Sequence, residues 1–116
     1  MSAWKLTVRH GSNVDREEFE DLDDAVGELM RRAEQVRAEG PLEEVSALRD
    51  FEPADQVHAR LEISGRGILR PPTAGVDVRG DGSMVAFSGS VRRQEIEPGA
   101  DQTVFEAVRG ALDGRR

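Results

Sequence analysis

The possible folds are constrained most by one segment in which two alternating runs flank a short turn. It extends from Ala74 to Arg93 and reads AGVDVRGDGSMVAFSGSVRR. The turn is Gly80-Asp81-Gly82-Ser83, and glycine tolerates the positive φ values that hairpin turns require. We therefore expect a β-hairpin in this segment. The apolar side chains predicted to face its buried side are Val76, Val78, Val85, Phe87 and Val91.

The opposite side of this hairpin carries unusually small residues. Solvent-facing strands generally present longer polar side chains, so Ala86, Ser88 and Ser90 suggest that a second subunit, a loop or a ligand approaches this side closely. The alternative is that small residues here have no special role, because strand propensity depends strongly on context. The predicted interaction face consists of Met84, Ala86, Ser88, Ser90 and Arg92.

Alternation predicts further strands elsewhere in the chain. Trp4 to His10 alternates, with Leu6 and Val8 on its apolar side, and Gly11-Ser12-Asn13 ends the run. Leu42 to Phe51 fits either a strand or a helix, and we favour a strand.

The cleanest alternation lies in Gln56 to Ser64. It predicts that His58, Arg60 and Glu62 point one way, and that the other side carries Val57, Ala59, Leu61 and Ile63.

Helical spacing predicts two helices. The first extends from Asp21 to Glu39, because its apolar residues recur every three or four positions, and Gly40-Pro41 is a strong stop signal. Asp21 is the expected N-cap. The second helix is expected from Asp101, as its N-cap, through about Leu112.

These elements predict a single α+β domain over residues 1–116, in the order β-α-β-β-β-β-α. Short connections between strands favour antiparallel pairing, which gives a four- to five-stranded sheet. Two amphipathic helices can both cover the same face of such a sheet. No internal repeat or linker divides the chain.

Composition excludes several kinds of chemistry. The chain has no cysteine, which removes disulfides, thiolate metal sites and cysteine nucleophiles. It has no long apolar run, so we expect a cytoplasmic protein that does not enter a membrane. The formal net charge is -7, and the acids concentrate between Asp15 and Glu28. An acidic chain is a poor general binder of nucleic acid.

Catalytic and metal-binding motifs are absent from the sequence. His10 and His58 are the only histidines, and no spacing typical of a metal site connects them, so we expect neither a metal nor a cofactor. The acids of Asp21-Leu22-Asp23-Asp24 lack the pattern of a calcium loop. With one lysine, no tyrosine and no cysteine, the supply of catalytic groups is small, and we predict no catalytic residue.

Arginine dominates the basic residues, and several arginines fall in the second half of the chain. Arginine suits bidentate contacts with phosphate, so one interpretation is a nucleic-acid surface, and the alternative is structural ion pairing, which is the commoner role of such residues. The candidate contacts are Arg60, Arg66, Arg70, Arg79 and Arg93.

The opening WKLTVRHG, the helix start FEDLDDAV and the segment GVDVRGDGS resemble small uncharacterised proteins of GC-rich actinobacterial genomes. The order β-α-β-β-β-α with a closing amphipathic helix is similar to that of the ribosome hibernation factors. That resemblance implies a ribosome-associated role, which those proteins perform with basic surfaces. The acidic start of the helix in this chain departs from their pattern.

Three functions remain open from the sequence. The first is a non-catalytic module that binds a protein partner or forms a homodimer through the predicted interaction face. The second is an RNA- or ribosome-associated regulator that uses the arginines. The third is a small enzyme with a carboxylate-based site.

Overall fold

The chain forms one six-stranded antiparallel sheet and two helices, in a computed structural model that describes residues 3–39, 57–65, 71–89 and 92–113. The elements, in chain order, are β1 (Trp4–His10), β2 (Asn13–Phe19), α1 (Leu22–Ala38), β3 (Val57–Gly65), β4 (Thr73–Arg79), β5 (Met84–Ser88), β6 (Gln94–Ile96) and α2 (Val104–Asp113). Their order across the sheet is β2-β1-β3-β4-β5-β6.

One face of the sheet packs against both helices, and this contact forms the core. Alternation in β1, β3 and β4 places their apolar side chains on the helix-covered face, as the sequence predicts for these strands. The core is built from Leu6, Val8, Ala59, Leu61, Ile63, Ala74, Val76, Val78 and Ala86 of the sheet and from Ala25, Leu29, Ala33, Val36, Ala107, Val108 and Leu112 of the helices.

The prediction of an antiparallel α+β fold is therefore confirmed, but the predicted strand number and element order are wrong. The observed order is β-β-α-β-β-β-β-α. Gly11 and Ser12 do not simply end β1; they form the tight turn of a hairpin in which His10 pairs with Asn13. The predicted strand Leu42 to Phe51 lies outside the described residues.

The missed strand β2 is an edge strand with the sequence NVDREEF. Six of its seven residues are exposed, so no apolar–polar alternation reveals it. Charged side chains on an edge strand discourage pairing with another sheet, which explains why a strand here carries four of them. The short strand β6, at the other edge, was missed for its length of three residues.

The hairpin β4–β5 differs from its prediction in the orientation of the second strand. Val78, rather than Arg79, pairs with Met84, so five residues (79–83) separate the last paired residues of the two strands, one more than the predicted turn of four. Asp81 stabilises this loop by accepting hydrogen bonds from the Ser83 N–H at 2.9 Å and from the Ser83 hydroxyl at 2.6 Å. Of the two loop glycines only Gly82 has a positive φ, +91°.

One extra loop residue turns every side chain of β5 to the opposite face. Ala86 therefore lies in the core and is 1% exposed, whereas Phe87 and Val85 lie on the face away from the helices.

The first helix matches its prediction to within one residue at each end. Asp21 is the N-cap of α1, and its carboxylate accepts from the Asp23 N–H at 3.3 Å. The second helix begins two residues later than predicted: its first residue is Val104, and Thr103 rather than Asp101 is its N-cap. Thr103 and Glu106 exchange side-chain-to-backbone hydrogen bonds of 2.9 and 3.1 Å, which is a complete capping box.

Neither helix in the described part of the chain is long and apolar enough to cross a membrane.

Candidate functional site

The face of the sheet that the helices leave uncovered, here called the open face, carries side chains from all six strands. Residues opposite one another in an antiparallel sheet point to the same side, so the strand registers assign its members. Its charged residues are Lys5, Arg9, Arg16, Glu18, Arg60, Glu62, Asp77, Arg79 and Glu95, and the guanidinium of Arg93 joins them.

An aromatic ring lies at the centre of this face and is covered by two arginines. Phe87 sits opposite Gly75 on β4, and a Cβ at Gly75 would lie 2.9 Å from the ring, so only glycine leaves room for it. The guanidinium carbons of Arg60 and Arg93 are 5.6 and 5.5 Å from the ring centroid. Phe87 is consequently 3% exposed although it lies outside the helix-covered core.

Ion pairs hold these arginines in place. Arg60 donates to both carboxylate oxygens of Asp77, its neighbour across the strands, at 2.6 and 2.9 Å. This bidentate contact raises the pKa of Arg60 above its already high ordinary value, so its charge is permanent. Arg93 donates to Glu62 at 3.5 Å. Arginines so engaged stabilise the sheet and have fewer donors left for an external ligand.

Charge is distributed unevenly between the open face and the rest of the described residues. Among the described residues, the open face has six basic side chains and four acidic ones, a net charge of +2. The remaining described residues have five basic and fourteen acidic side chains, a net charge of -9 with histidine neutral. The most acidic part, here called the acidic surface, comprises Asp15, Glu17, Asp21, Asp23, Asp24 and Glu28.

The acidic surface is only partly neutralised. Arg32 contacts Asp15 at 2.8 Å and approaches Glu17 and Glu28, each at 3.8 Å, so three carboxylates share one guanidinium. Arg31 also pairs with Glu28, and hydrogen bonding from Arg31 lowers the pKa of that carboxyl. These carboxylates converge on arginine, which is an arrangement for ion pairing rather than for acid–base work on a substrate.

The described residues of the predicted interaction face are not exposed together on one surface. Ala86 is buried in the core, Met84 packs against it, and Ser88 pairs with Ala74 on the same helix-covered side. Arg92 is exposed, and Ser90 lies outside the described residues. The small size of Ala86 is explained by the packing of the helices above it and not by an external partner.

The predicted arginine surface is partly assembled. Arg60, Arg79 and Arg93 all lie on the open face, whereas Arg66 and Arg70 fall outside the described residues. Arg79 pairs with Glu95 at 3.3 Å. Lys5, Arg9 and Arg16, which sequence reasoning did not single out, form no ion pair within the described residues and extend the positive region across β1 and β2.

A separate group of side chains lies at one end of the helix-covered side. His10 ends β1, Glu39 follows α1 as its C-cap, and His58 lies near the start of β3. The Nε2 atoms of the two histidines are 3.2 Å apart. Glu39 Oε1 lies 3.2 Å from Nε2 of His10 and 3.7 Å from Nε2 of His58.

The alternation of β3 predicts His58 on the open face, which is wrong because of a β-bulge. Val57 pairs with Arg79 and Ala59 pairs with the preceding residue, Val78, so His58 is an extra residue in the strand. A bulge reorients the side chain of the extra residue. The sequence contains no local signal for it, since the bulge depends on how β3 pairs with β4.

Comparison with protein-family models, with curated proteins and with solved structures found no match for this chain. Function is therefore inferred from the geometry of the open face and of the histidine–glutamate group.

Proposed function

We propose that this protein is a non-catalytic interaction module that self-associates, with the open face of one copy binding the acidic surface of another. The observation that carries this proposal is the segregation of charge: a net +2 on the open face against a net -9 on the remaining described residues. Complementary charge patches steer proteins together and select the orientation in which they dock.

The part of the open face best suited to this contact lies on β1 and β2. Lys5, Arg9 and Arg16 have no ion-pair partner within the described residues, so they can pair with external carboxylates without breaking an internal contact. The acidic surface offers such carboxylates in excess over its own arginines. Each molecule carries both surfaces, so a second copy is a partner always present at equal concentration.

Nucleic acid fits the open face less well than a protein surface does. Proteins that bind single-stranded RNA on a sheet stack bases on exposed aromatic rings. Phe87 is covered by Arg60 and Arg93, and the other described aromatic side chains, Trp4, Phe19 and Phe105, pack against the core. The positive region thus provides charge without a stacking platform.

Sedimentation velocity over a range of protein concentrations tests the proposal. We choose ionic strengths of about 0.02 and about 0.5 M, because the distance over which salt screens charges shrinks several-fold between them. We expect association at low salt and dissociation at high salt. Arg9→Glu should abolish association, and Asp24→Arg should weaken it from the other side of the contact. Arg37→Glu, which makes the same charge change on α1 outside the open face, is the matched control.

A protein that is monomeric at low salt at every concentration contradicts the proposal. So does an Arg9→Glu variant that associates like the wild type. Absorbance spectra of the purified protein, with and without ribonuclease treatment, test the RNA-associated alternative. If RNA is bound, the nucleic-acid absorbance should disappear after ribonuclease treatment and should be absent from the Arg9→Glu variant.

A further inference from the structure

We propose that His10, His58 and Glu39 form a binding site for one divalent transition-metal ion, with Zn²⁺ as the best fit. The three residues come from three different elements and meet only in the folded chain. Their ligand atoms all lie within 4.8 Å of one another. This site is separate from the open face and does not depend on how the protein associates.

The ligand types select the class of metal. Two imidazole nitrogens and one carboxylate oxygen are a donor set found in zinc sites and in other sites for first-row transition metals. Ca²⁺ and Mg²⁺ prefer sites made of oxygen ligands alone. The site therefore distinguishes Zn²⁺ and its neighbours from the two commonest divalent cations of cells.

The triangle formed by the three ligand atoms matches the face of a zinc tetrahedron. Its edges are 3.2, 3.2 and 3.7 Å, joining Nε2 of His10, Nε2 of His58 and Oε1 of Glu39. A tetrahedral ion with bonds of about 2.05 Å requires ligand separations of about 3.3 Å. An ion at that distance from all three atoms would lie about 0.6 Å above their plane, close to the ideal tetrahedral height of about 0.7 Å.

The close approach of these three atoms requires either a proton or a metal ion among them. A neutral imidazole nitrogen without its proton is a hydrogen-bond acceptor, and a carboxylate oxygen is always one when ionised. Three such acceptors at these separations repel one another unless a proton or a metal ion lies among them. A shared proton is the competing explanation, and it predicts no selective affinity for a transition metal.

Exposure leaves one coordination position open. The side chains of His58, His10 and Glu39 are 15%, 30% and 51% exposed, so solvent reaches the group from the Glu39 side. A cavity of about 210 Å³, lined in part by His10, Glu39 and Asn13, lies beside it. A fourth ligand, water or a small molecule, can approach from there, as in zinc sites that keep an open position.

Binding of Zn²⁺ would connect the end of α1 to the ends of β1 and β3. The ion binds the folded arrangement and not the unfolded chain, so it stabilises the fold. At a free metal concentration of one hundred times Kd, folding is favoured about 100-fold, equivalent to about 2.7 kcal/mol. For a domain of this size, such a gain raises the melting temperature by roughly 10 °C.

Isothermal titration of the untagged full chain with ZnCl₂ tests the proposal, with MgCl₂ and CaCl₂ as comparison ions. We expect one Zn²⁺ per chain and no binding of the other two. His58→Ala should weaken binding by at least about 100-fold, because it removes a direct metal ligand. Removing only a residue that hydrogen-bonds to a ligand already weakens metal binding about 10- to 100-fold. Glu39→Gln should weaken it about tenfold, and Glu34→Gln, on the same helix, should leave it unchanged.

Circular dichroism establishes whether each variant is folded. If His58→Ala does not fold, Glu39→Gln tests the site instead, because Glu39 is exposed at the end of the helix and its substitution should not disturb the core. Cobalt(II) supplies a second readout, because tetrahedral coordination gives intense visible absorption and octahedral coordination gives weak absorption. The proposal is overturned by Zn²⁺ affinity that survives His58→Ala, by equal losses in Glu34→Gln and Glu39→Gln, or by an octahedral cobalt spectrum.

Discussion

Gly75 lies where no other residue fits, and Gly75→Ala should destabilise the protein severely. A Cβ at this position would lie 2.0 Å from the carbonyl oxygen of Leu61 and 2.8 Å from Cα of Glu62. Ordinary carbon–oxygen contacts are about 3.3 Å or longer, so the strands must separate by about 1.3 Å to admit it. Both obstacles belong to the backbone of β3, which pairs on both sides and cannot move alone.

The expected cost follows from that geometry. Adding one carbon to a packed site usually costs about 1–3 kcal/mol, and more when the surroundings are rigid. We expect about 3–4 kcal/mol for Gly75→Ala, a large part of the stability of a typical domain. The corresponding fall in melting temperature is roughly 12 °C or more.

Urea unfolding measures this cost, followed by circular dichroism and by the fluorescence of Trp4, the single tryptophan. Gly27→Ala is the matched control: it makes the same substitution at an exposed position of α1 where a Cβ would meet nothing within 4 Å. Because alanine favours helix more than glycine, this control should gain about 0.5–1 kcal/mol. A Gly75→Ala variant within 0.5 kcal/mol of the wild type, a margin of roughly the size expected for neutral surface changes, would refute the close-packing explanation.

Three other substitutions test individual contacts. Glu28→Gln should lower the free energy of unfolding by about 0.5 kcal/mol at pH 7. Arg31 lowers the pKa of Glu28 below its ordinary 4.5, so the stabilisation by Glu28 is present above pH 4.5 and is lost as the pH falls through the lower folded pKa. The unfolding curves of the variant and the wild type should therefore converge in acid. Arg60→Lys should cost about 1–2 kcal/mol in urea unfolding, because lysine replaces neither the bidentate pair nor the stacking on Phe87; equal stability would contradict that role. Thr103→Ala should cost about 1 kcal/mol by removing the N-cap of α2, and Thr103→Ser should restore most of it.

The sequence was most informative where local periodicity decides the outcome. Leu29, Ala33 and Val36 form the buried stripe of α1 because every third or fourth residue of a helix returns to the same side. Leu61 and Ile63 are buried because alternate residues of a strand share a face. Asp21 caps α1 because its short side chain reaches the free N–H groups of the first turn.

The missed strand β2 shows where periodicity fails. Its exposed residues have no reason to alternate, and only pairing with β1 makes NVDREEF a strand. The buried Gly75 of β4 is a usable signal in the sequence, because a glycine inside an apolar strand often marks a close approach of another group. Here the approaching groups are the backbone of β3 and the ring of Phe87.

The sequence by itself determined the α+β class, the first helix with its cap, and the buried residues of β1, β3 and β4, since each depends on neighbours close along the chain. Only the tertiary structure decided which face Phe87 occupies and where His58 points. The first depends on the pairing of Val78 with Met84 across the β4–β5 hairpin, and the second on a bulge between β3 and β4. A register shift of one residue leaves the local sequence pattern unchanged but moves every following side chain to the opposite face. The register is therefore set by the pairing between strands.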